Sequence, residues 1–242
     1  MRALVFVHGY LGGSAQWAAQ VAAFSPSSRV ITPDLPGYGC NCAMQAPAEI
    51  GAFADYVLEQ VRGMGVERFD LVGHSMGGMI VQEMVARAPQ RVDRLVLYGT
   101  GPVGLLPGRF ETIDESKRRV VEHGPEATGR RISATWFLQR EQAANYPVCA
   151  GLAVLASPQA ALAGLSAMES WSCEAALENI ASPTLVLWGD CDRTYMWDQQ
   201  QKLWRGIDGA SLAVIPGCAH AVHLEKPQLF NAILADFLEA GR

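Results

Sequence analysis

Short apolar runs recur along the chain at 3–7, 29–32, 69–72, 94–98, 184–188 and 211–215, separated by stretches in which apolar residues return every three or four positions. The runs are near-continuous rather than alternating, the pattern of strands covered on both faces by crossover helices. After Pro47, Ile50, Phe53, Val57, Leu58 and Val61 fall at helical spacing, and Gly63 and Gly65 end the run where a C-cap belongs. A second helix is predicted to begin just after Ser75, to carry Met79, Ile80 and Val85, and to stop at Pro89. A last one opens at Pro227 with Leu229, Phe230, Ile233, Leu234, Phe237 and Leu238 on one broad apolar face. The sum is an α/β, doubly wound, mostly parallel sheet of about six strands.

From 101 to 180 no strand is predicted, whereas 111–123, 127–142 and 158–171 read as helices. An insertion between two strands of a parallel sheet leaves at the carboxyl edge, where ligands bind in this architecture. The expected organisation is therefore a core of residues 1–100 and 181–242 with a helical cap of residues 101–180. Trp17, Trp188 and Trp204 are assigned to the core.

Composition narrows the function classes. With 242 residues, 50% of them apolar and 18% charged, the chain can build one sizeable core. A net charge of −5 leaves no broad cationic surface, so neither nucleic acid nor a membrane surface is an expected partner, and a small molecule is. No apolar run reaches the roughly 20 residues that span a bilayer, and the opening run is too short for a secretory signal. The six scattered cysteines are expected to stay reduced, in the cytoplasm. Cys40 and Cys42 are the only close pair, with no second ligand cluster, so no metal and no cofactor is expected.

Gly73-His74-Ser75-Met76-Gly77 matches G-x-S-x-G and sits between a predicted strand and a predicted helix, the context of a strand-turn-helix elbow that exposes a serine hydroxyl. A serine needs a base and a group that orients the base. His220, in the loop after the last strand, is preferred to His223 because the glycine-containing turn Pro216-Gly217 before it suits a loop tip. Asp192 follows the strand at 184–188 and is preferred to Asp190, which is placed to cap its own turn. The loop after the strand at 94–98 offers no carboxylate. An oxyanion needs two backbone donors. Met76 N–H at the helix start is one, and Tyr10 N–H in His8-Gly9-Tyr10-Leu11-Gly12-Gly13 is the other. Trp136, Phe137, Trp171, Tyr195 and Val222, near these positions or in the cap, are expected to line an apolar pocket.

With these residues on the page, the chain resembles the α/β-hydrolase superfamily and its cofactor-free esterase, lactonase and C–C hydrolase branch. The matching pieces are residues 8–13, Asp34-Leu35-Pro36-Gly37-Tyr38-Gly39, G-H-S-M-G-G at 73–78, G-D-C-D at 189–192 and A-H-A-V-H-L-E-K-P at 219–227. The resemblance implies a catalytic triad in the chain order Ser75, Asp192, His220 and a fold without the family's usual first antiparallel hairpin. Asn41 stands where relatives often have serine. C–C hydrolases of this branch usually carry asparagine before the nucleophile and tryptophan after the histidine, where this chain has His74 and Ala221.

The expected activity is a serine hydrolase that cleaves a small carboxylic ester or lactone through an acyl-enzyme, losing activity below roughly pH 6 to 6.5 as the base protonates. The alternatives are a C–C bond or enol-lactone hydrolase, a carrier-protein methyl ester hydrolase whose Arg118-Arg119 and Arg130-Arg131 pairs meet the carrier, and a non-catalytic ligand binder. A monomer or homodimer is expected.

Overall fold

The computed structural model describes residues 2–239; Met1 and residues 240–242, inside the expected core boundaries, lie outside the described residues. Six strands, β1 (Arg2–Val7), β2 (Ser28–Ile31), β3 (Phe69–His74), β4 (Val92–Tyr98), β5 (Thr184–Gly189) and β6 (Ser211–Ile215), form one sheet in the order β2-β1-β3-β4-β5-β6, every pairing parallel. The four inner strands are buried almost throughout, as near-continuous apolar runs require. The edge strands β2 and β6 depart from that expectation: each buries only its last residue, because an edge strand has a neighbour on one side alone.

Successive side chains point to opposite faces of the sheet and feed two cores. Val5, Val7, Leu71, Leu95, Leu97 and Val186 pack with α2 (Ile50–Gly63) and α3 (Met76–Arg87). Leu4, Phe6, Val72, Val96 and Leu187 pack with Trp17, with Phe24 of α1 (Ala18–Phe24), and with the final helix Pro227–Glu239. In that final helix Phe230, Leu234 and Leu238 are buried, whereas Leu229 turns out to solvent. Trp204 is likewise exposed, because Leu203 takes the buried face of its helix, Trp197–Gly206.

Between β4 and β5 the chain forms α4 (Ile113–Ala134), α5 (Tyr146–Ala153) and α6 (Pro158–Glu169). The two helices expected at 111–123 and 127–142 are one bent element. Gly124, at φ 79°, and Pro125 put the kink in it, and it ends at Ala134, so Trp136 and Phe137 lie in turns. The segment holding α5 was not legible as a helix, since it is short and almost uniformly apolar. Among the described residues no single helix is long and apolar enough to cross a membrane; the apolar α5–α6 pair is bent by 103°.

This insert is stitched to the core on two sides. Tyr10 and Tyr38 donate hydroxyl hydrogen bonds to the Ala161 and Ala160 carbonyls of α6, each 3.0 Å. Arg193 donates to the Phe137 carbonyl at 2.9 Å, and the Glu225 carboxylate bridges the Leu138 and Ala219 amides at 2.6 and 2.7 Å.

Phe6 is fully buried, its ring 5.0 Å from that of Trp17 and 6.4 Å from that of Phe24. Phe6→Ala is expected to lower the unfolding free energy by about 3–5 kcal/mol in urea titrations. A loss below about 1 kcal/mol would mean that the second core collapses around the missing ring.

Candidate active site

The sheet order reverses direction at β1 and β3: the chain runs outward from β1 to β2, then returns to place β3 on the other side. Loops leaving the two strands diverge there and open a crevice at the carboxyl edge. Ser75 caps β3 at φ 59°, ψ −122°, a strained conformation for a residue with a side chain. The strain is enforced by crowding around it. A Cβ at Gly77 would come within 2.3 Å of the Val7 carbonyl oxygen, and one at Gly73 within 2.5 Å of the Gly77 carbonyl oxygen. No side chain fits at either place. Thr100 Oγ1 then donates to the Ser75 carbonyl at 2.8 Å and fixes the turn from behind.

Met76 opens α3, where the first amides have no partner in their own helix. Facing it is the turn after β1. Gly9 lies so close that a Cβ on it would sit 2.8 Å from Ser75 Cβ, and Leu11 holds a left-handed φ of 57°. His8 locks this turn: its Nε2 accepts from the Leu35 amide at 3.0 Å while Nδ1 lies 2.9 Å from the Gly9 carbonyl. Asp34 completes the join, accepting from the Ser14 amide at 2.6 Å and the Cys40 amide at 3.0 Å.

The structure brings Asp192 and His220 together. Asp192 Oδ2 lies 2.7 Å from His220 Nδ1, and neither side chain is more than 1% exposed. Asp192 Oδ1 accepts from the Thr194 and Tyr195 amides at 2.7 and 3.2 Å. Asp190 is exposed and caps the neighbouring turn, accepting from the Gly217 amide at 2.7 Å. The Tyr195 ring stacks on the His220 ring at 5.6 Å and 14°, and Tyr195 and Ser75 line the same small space.

The other histidines near the site are internal. The His220 carbonyl receives two donors, the Tyr98 hydroxyl at 2.8 Å and His74 Nε2 at 3.1 Å. His223 lies behind them against Trp17, ring centroids 4.4 Å apart, with Nδ1 3.0 Å from the Tyr98 hydroxyl. Burial lowers the pKa of His8, His74 and His223, the last to about 3, and neighbouring imidazoles push His74 and His223 down further.

The space above Ser75 amounts to about 20 Å³, little more than one water needs. Trp136 and Tyr195, of the residues named from sequence for a pocket, line it with Tyr10, Met168, Ile113, Ile132, Arg109 and Thr194. Three expected lining residues lie elsewhere. Phe137 is fully buried and meets Tyr146 edge-on. Trp171 turns its Nε1 to Glu83 on α3 at 2.9 Å. Val222 packs in the core that contains Phe230. Of their sequence neighbours, Trp136 beside Phe137 lines the space. Among the described residues no group of three or more His, Cys, Asp and Glu side chains is placed to hold a metal, and all six cysteines are free.

The buried imidazoles make stability depend on pH. His8, His74 and His223 titrate below 6.5 in the folded chain, so under that pH the unfolded chain binds more protons and the folded state loses ground. The expected loss is up to about 1.4 kcal/mol per pH unit for each ring, with no change above about pH 7.5. Urea midpoints at about pH 7.5, 6.5 and 5.5 read it, and a flat series would show that the rings protonate freely in the fold.

The profile of the alpha/beta hydrolase family matches residues 4–233. A protein of Agrobacterium fabrum with the provisional name carbamate hydrolase RutD is 29% identical over 237 residues, 95% of this chain and 90% of that one. A 2-hydroxy-6-oxo-6-phenylhexa-2,4-dienoate hydrolase of Comamonas testosteroni is 28% identical, covering 98% and 87%. A pimeloyl-[acyl-carrier protein] methyl ester esterase of Aromatoleum aromaticum is 28% identical, covering 96% of each. Among solved structures, the enol-lactonase from Burkholderia xenovorans LB400 superposes with a TM-score of 0.89 at 23% identity, over 98% of this chain and 91% of that one. The strand order, the elbow at Ser75 and the family match agree: the chain belongs to the alpha/beta hydrolase family.

Proposed function

We propose that the chain is a serine hydrolase that cleaves a small carboxylic ester or lactone through an acyl-enzyme. The observation that carries this reading is the buried Asp192–His220 pair at 2.7 Å in the loops that meet the strained Ser75 elbow. Asp192 holds Nδ1 of the ring as the protonated nitrogen, which leaves Nε2 as the base. His220 takes the Ser75 proton as Oγ attacks the acyl carbon. The Tyr10 and Met76 amides receive the developing oxyanion. The imidazolium returns the proton to the departing alkoxide, and a water activated by the same ring then hydrolyses the acyl-enzyme. The 101–180 insert acts as the cap that excludes bulk water, in keeping with the small space over Ser75.

Hydrolysis of a C–C bond is the second reading. It is favoured by the Comamonas relative and by Trp136, which brings an indole 6.2 Å from the His220 ring although Ala221 follows the histidine. A carrier-protein ester stays within the first reading as a choice of leaving group or acyl carrier.

A fluorophosphonate probe is expected to label Ser75 in the folded chain, and Ser75→Ala to abolish labelling and lower ester turnover at least about 10⁴-fold. Asp192→Asn is expected to lower kcat about 10³- to 10⁴-fold, while Asp190→Asn stays within about threefold of the parent. Loss of activity in the Asp190 variant alone would overturn the assignment of the acid.

A further inference from the structure

Among the described residues Arg109 makes no ion pair with a carboxylate; its guanidinium lies over the Phe110 ring, 4.6 Å from the centroid. Arg109 lines the space over Ser75, and also an outer groove with Leu105, Pro107 and Thr112, so it stands in the wall between the site and solvent. Both of its hydrogen bonds among the described residues leave from Nη1, to the Glu111 carbonyl at 2.9 Å and to Ser116 Oγ at 3.2 Å. Neither partner is a carboxylate. The Glu111 carboxylate next to it is committed elsewhere, to Arg131 at 2.8 Å, Arg119 at 3.4 Å and the Ser116 hydroxyl at 2.5 Å. Arg119 also pairs with Glu115 at 2.8 Å, so Arg131 and the Ser116 hydroxyl are the nearest partners of the Glu111 carboxylate, and Arg109 lines the cavity without an ion pair among the described residues.

A second, independent feature lines the same space. Thr194 is buried, and its hydroxyl has no hydrogen-bond partner among the described residues. Its amide is already spent on Asp192, so the residue is held in place while its Oγ1 stays unused. A buried hydroxyl without a partner costs about 1–3 kcal/mol. A half-buried guanidinium without an anion is also unfavourable, and both penalties disappear when an acceptor with two oxygens enters. The rest of the lining is mostly apolar, from Ile113, Ile132, Trp136 and Met168.

We infer that Arg109 and Thr194 form a carboxylate subsite, so that the substrate is an ester or lactone carrying a free carboxylate a few bonds from the carbonyl that Ser75 attacks. The inference rests on the hydrolase reading for the word ester; the anion site itself does not. A carboxylate fits better than a phosphate dianion. One guanidinium and one hydroxyl satisfy two oxygens, whereas a third charged oxygen would face an apolar wall.

The test compares two nitrophenyl esters of equal length, butyrate and the half-ester of succinate, on the parent, Arg109→Gln, Arg109→Lys and Thr194→Val. The parent is expected to prefer the succinate half-ester. Arg109→Gln should lower the ratio of succinate half-ester to butyrate kcat/KM about 10- to 100-fold, chiefly through the KM of the succinate half-ester. Arg109→Lys should keep part of the preference, and Thr194→Val should lose a smaller part. Urea midpoints close to the parent's show that the variants are folded. Calorimetric binding of glutarate to the parent and to Arg109→Gln reads the subsite without turnover. Binding that requires Arg109 in a chain that cleaves neither ester would keep the anion site and remove the hydrolase reading. Equal turnover of both esters by the parent, or an equal loss on both in Arg109→Gln, would overturn the carboxylate subsite.

Discussion

The arrangement depends on one carboxylate held in the interior. An unpaired carboxylate at the depth of Asp192 would be prohibitively costly. Three donors offset that cost: the His220 ring on one oxygen, and the Thr194 and Tyr195 amides on the other. The turn that supplies the amides is itself anchored, because Trp188 Nε1 donates to the Tyr195 carbonyl at 2.8 Å. A tryptophan read from sequence as core therefore has a polar end that sets the acid's geometry. With Oδ2 committed to the ring, the tautomer and plane of His220 are fixed, and the remaining ring nitrogen is directed by the same bond.

His220 is also held through its backbone, and this explains the concentration of aromatic and imidazole rings beneath the site. His74 and Tyr98 both donate to its carbonyl, and their rings stack on each other at 4.5 Å and 24°. Both groups serve as neutral donors; a proton added to His74 would place a charge beside two other imidazoles in a dry interior. His74, the residue before Ser75, thus holds the backbone of the proposed base, His220. The departure from the asparagine of C–C hydrolases has a structural consequence of its own, since a shorter amide at 74 would leave the His220 carbonyl a donor short.

The sheet, the turn at Ser75 and the Asp192–His220 pairing were legible because each is tied to a local signal. Glycine marks the ends of β4 and β5, Ser75 sits inside a motif whose glycines have no room for a side chain, and Asp192 and His220 lie in the short loops that follow two strands. Pocket residues carry no such signal. Phe137 and Trp136 are adjacent, yet a turn after α4 sends one ring to Tyr146 and the other toward His220. The turn placement follows from where the kinked helix ends, and that end is set by packing between distant segments. Arg109 and Thr194 were missed for a related reason. An arginine in a glycine- and proline-rich loop reads as a solvated charge. Its meaning appears only when the ion-pair partners of Glu111 are known.

Access to Ser75 follows from the same geometry. A space of about 20 Å³ cannot hold even the smallest ester, so some part of the lining has to move. The α6 side is tied down by Tyr10 and Tyr38, and the 135–138 turns by Arg193 and Glu225. What separates the cavity from the outer groove is the thin wall of Leu106, Arg109 and Ile113, which face both. Leu105 beside it is 59% exposed, and Gly108 adopts φ 77°, so this stretch has little packing to lose when it shifts. A guanidinium in that wall can attract an anion from solvent and then hold it inside. Under the proposed carboxylate subsite, Arg109 both selects the substrate's charge and forms part of the wall that has to shift.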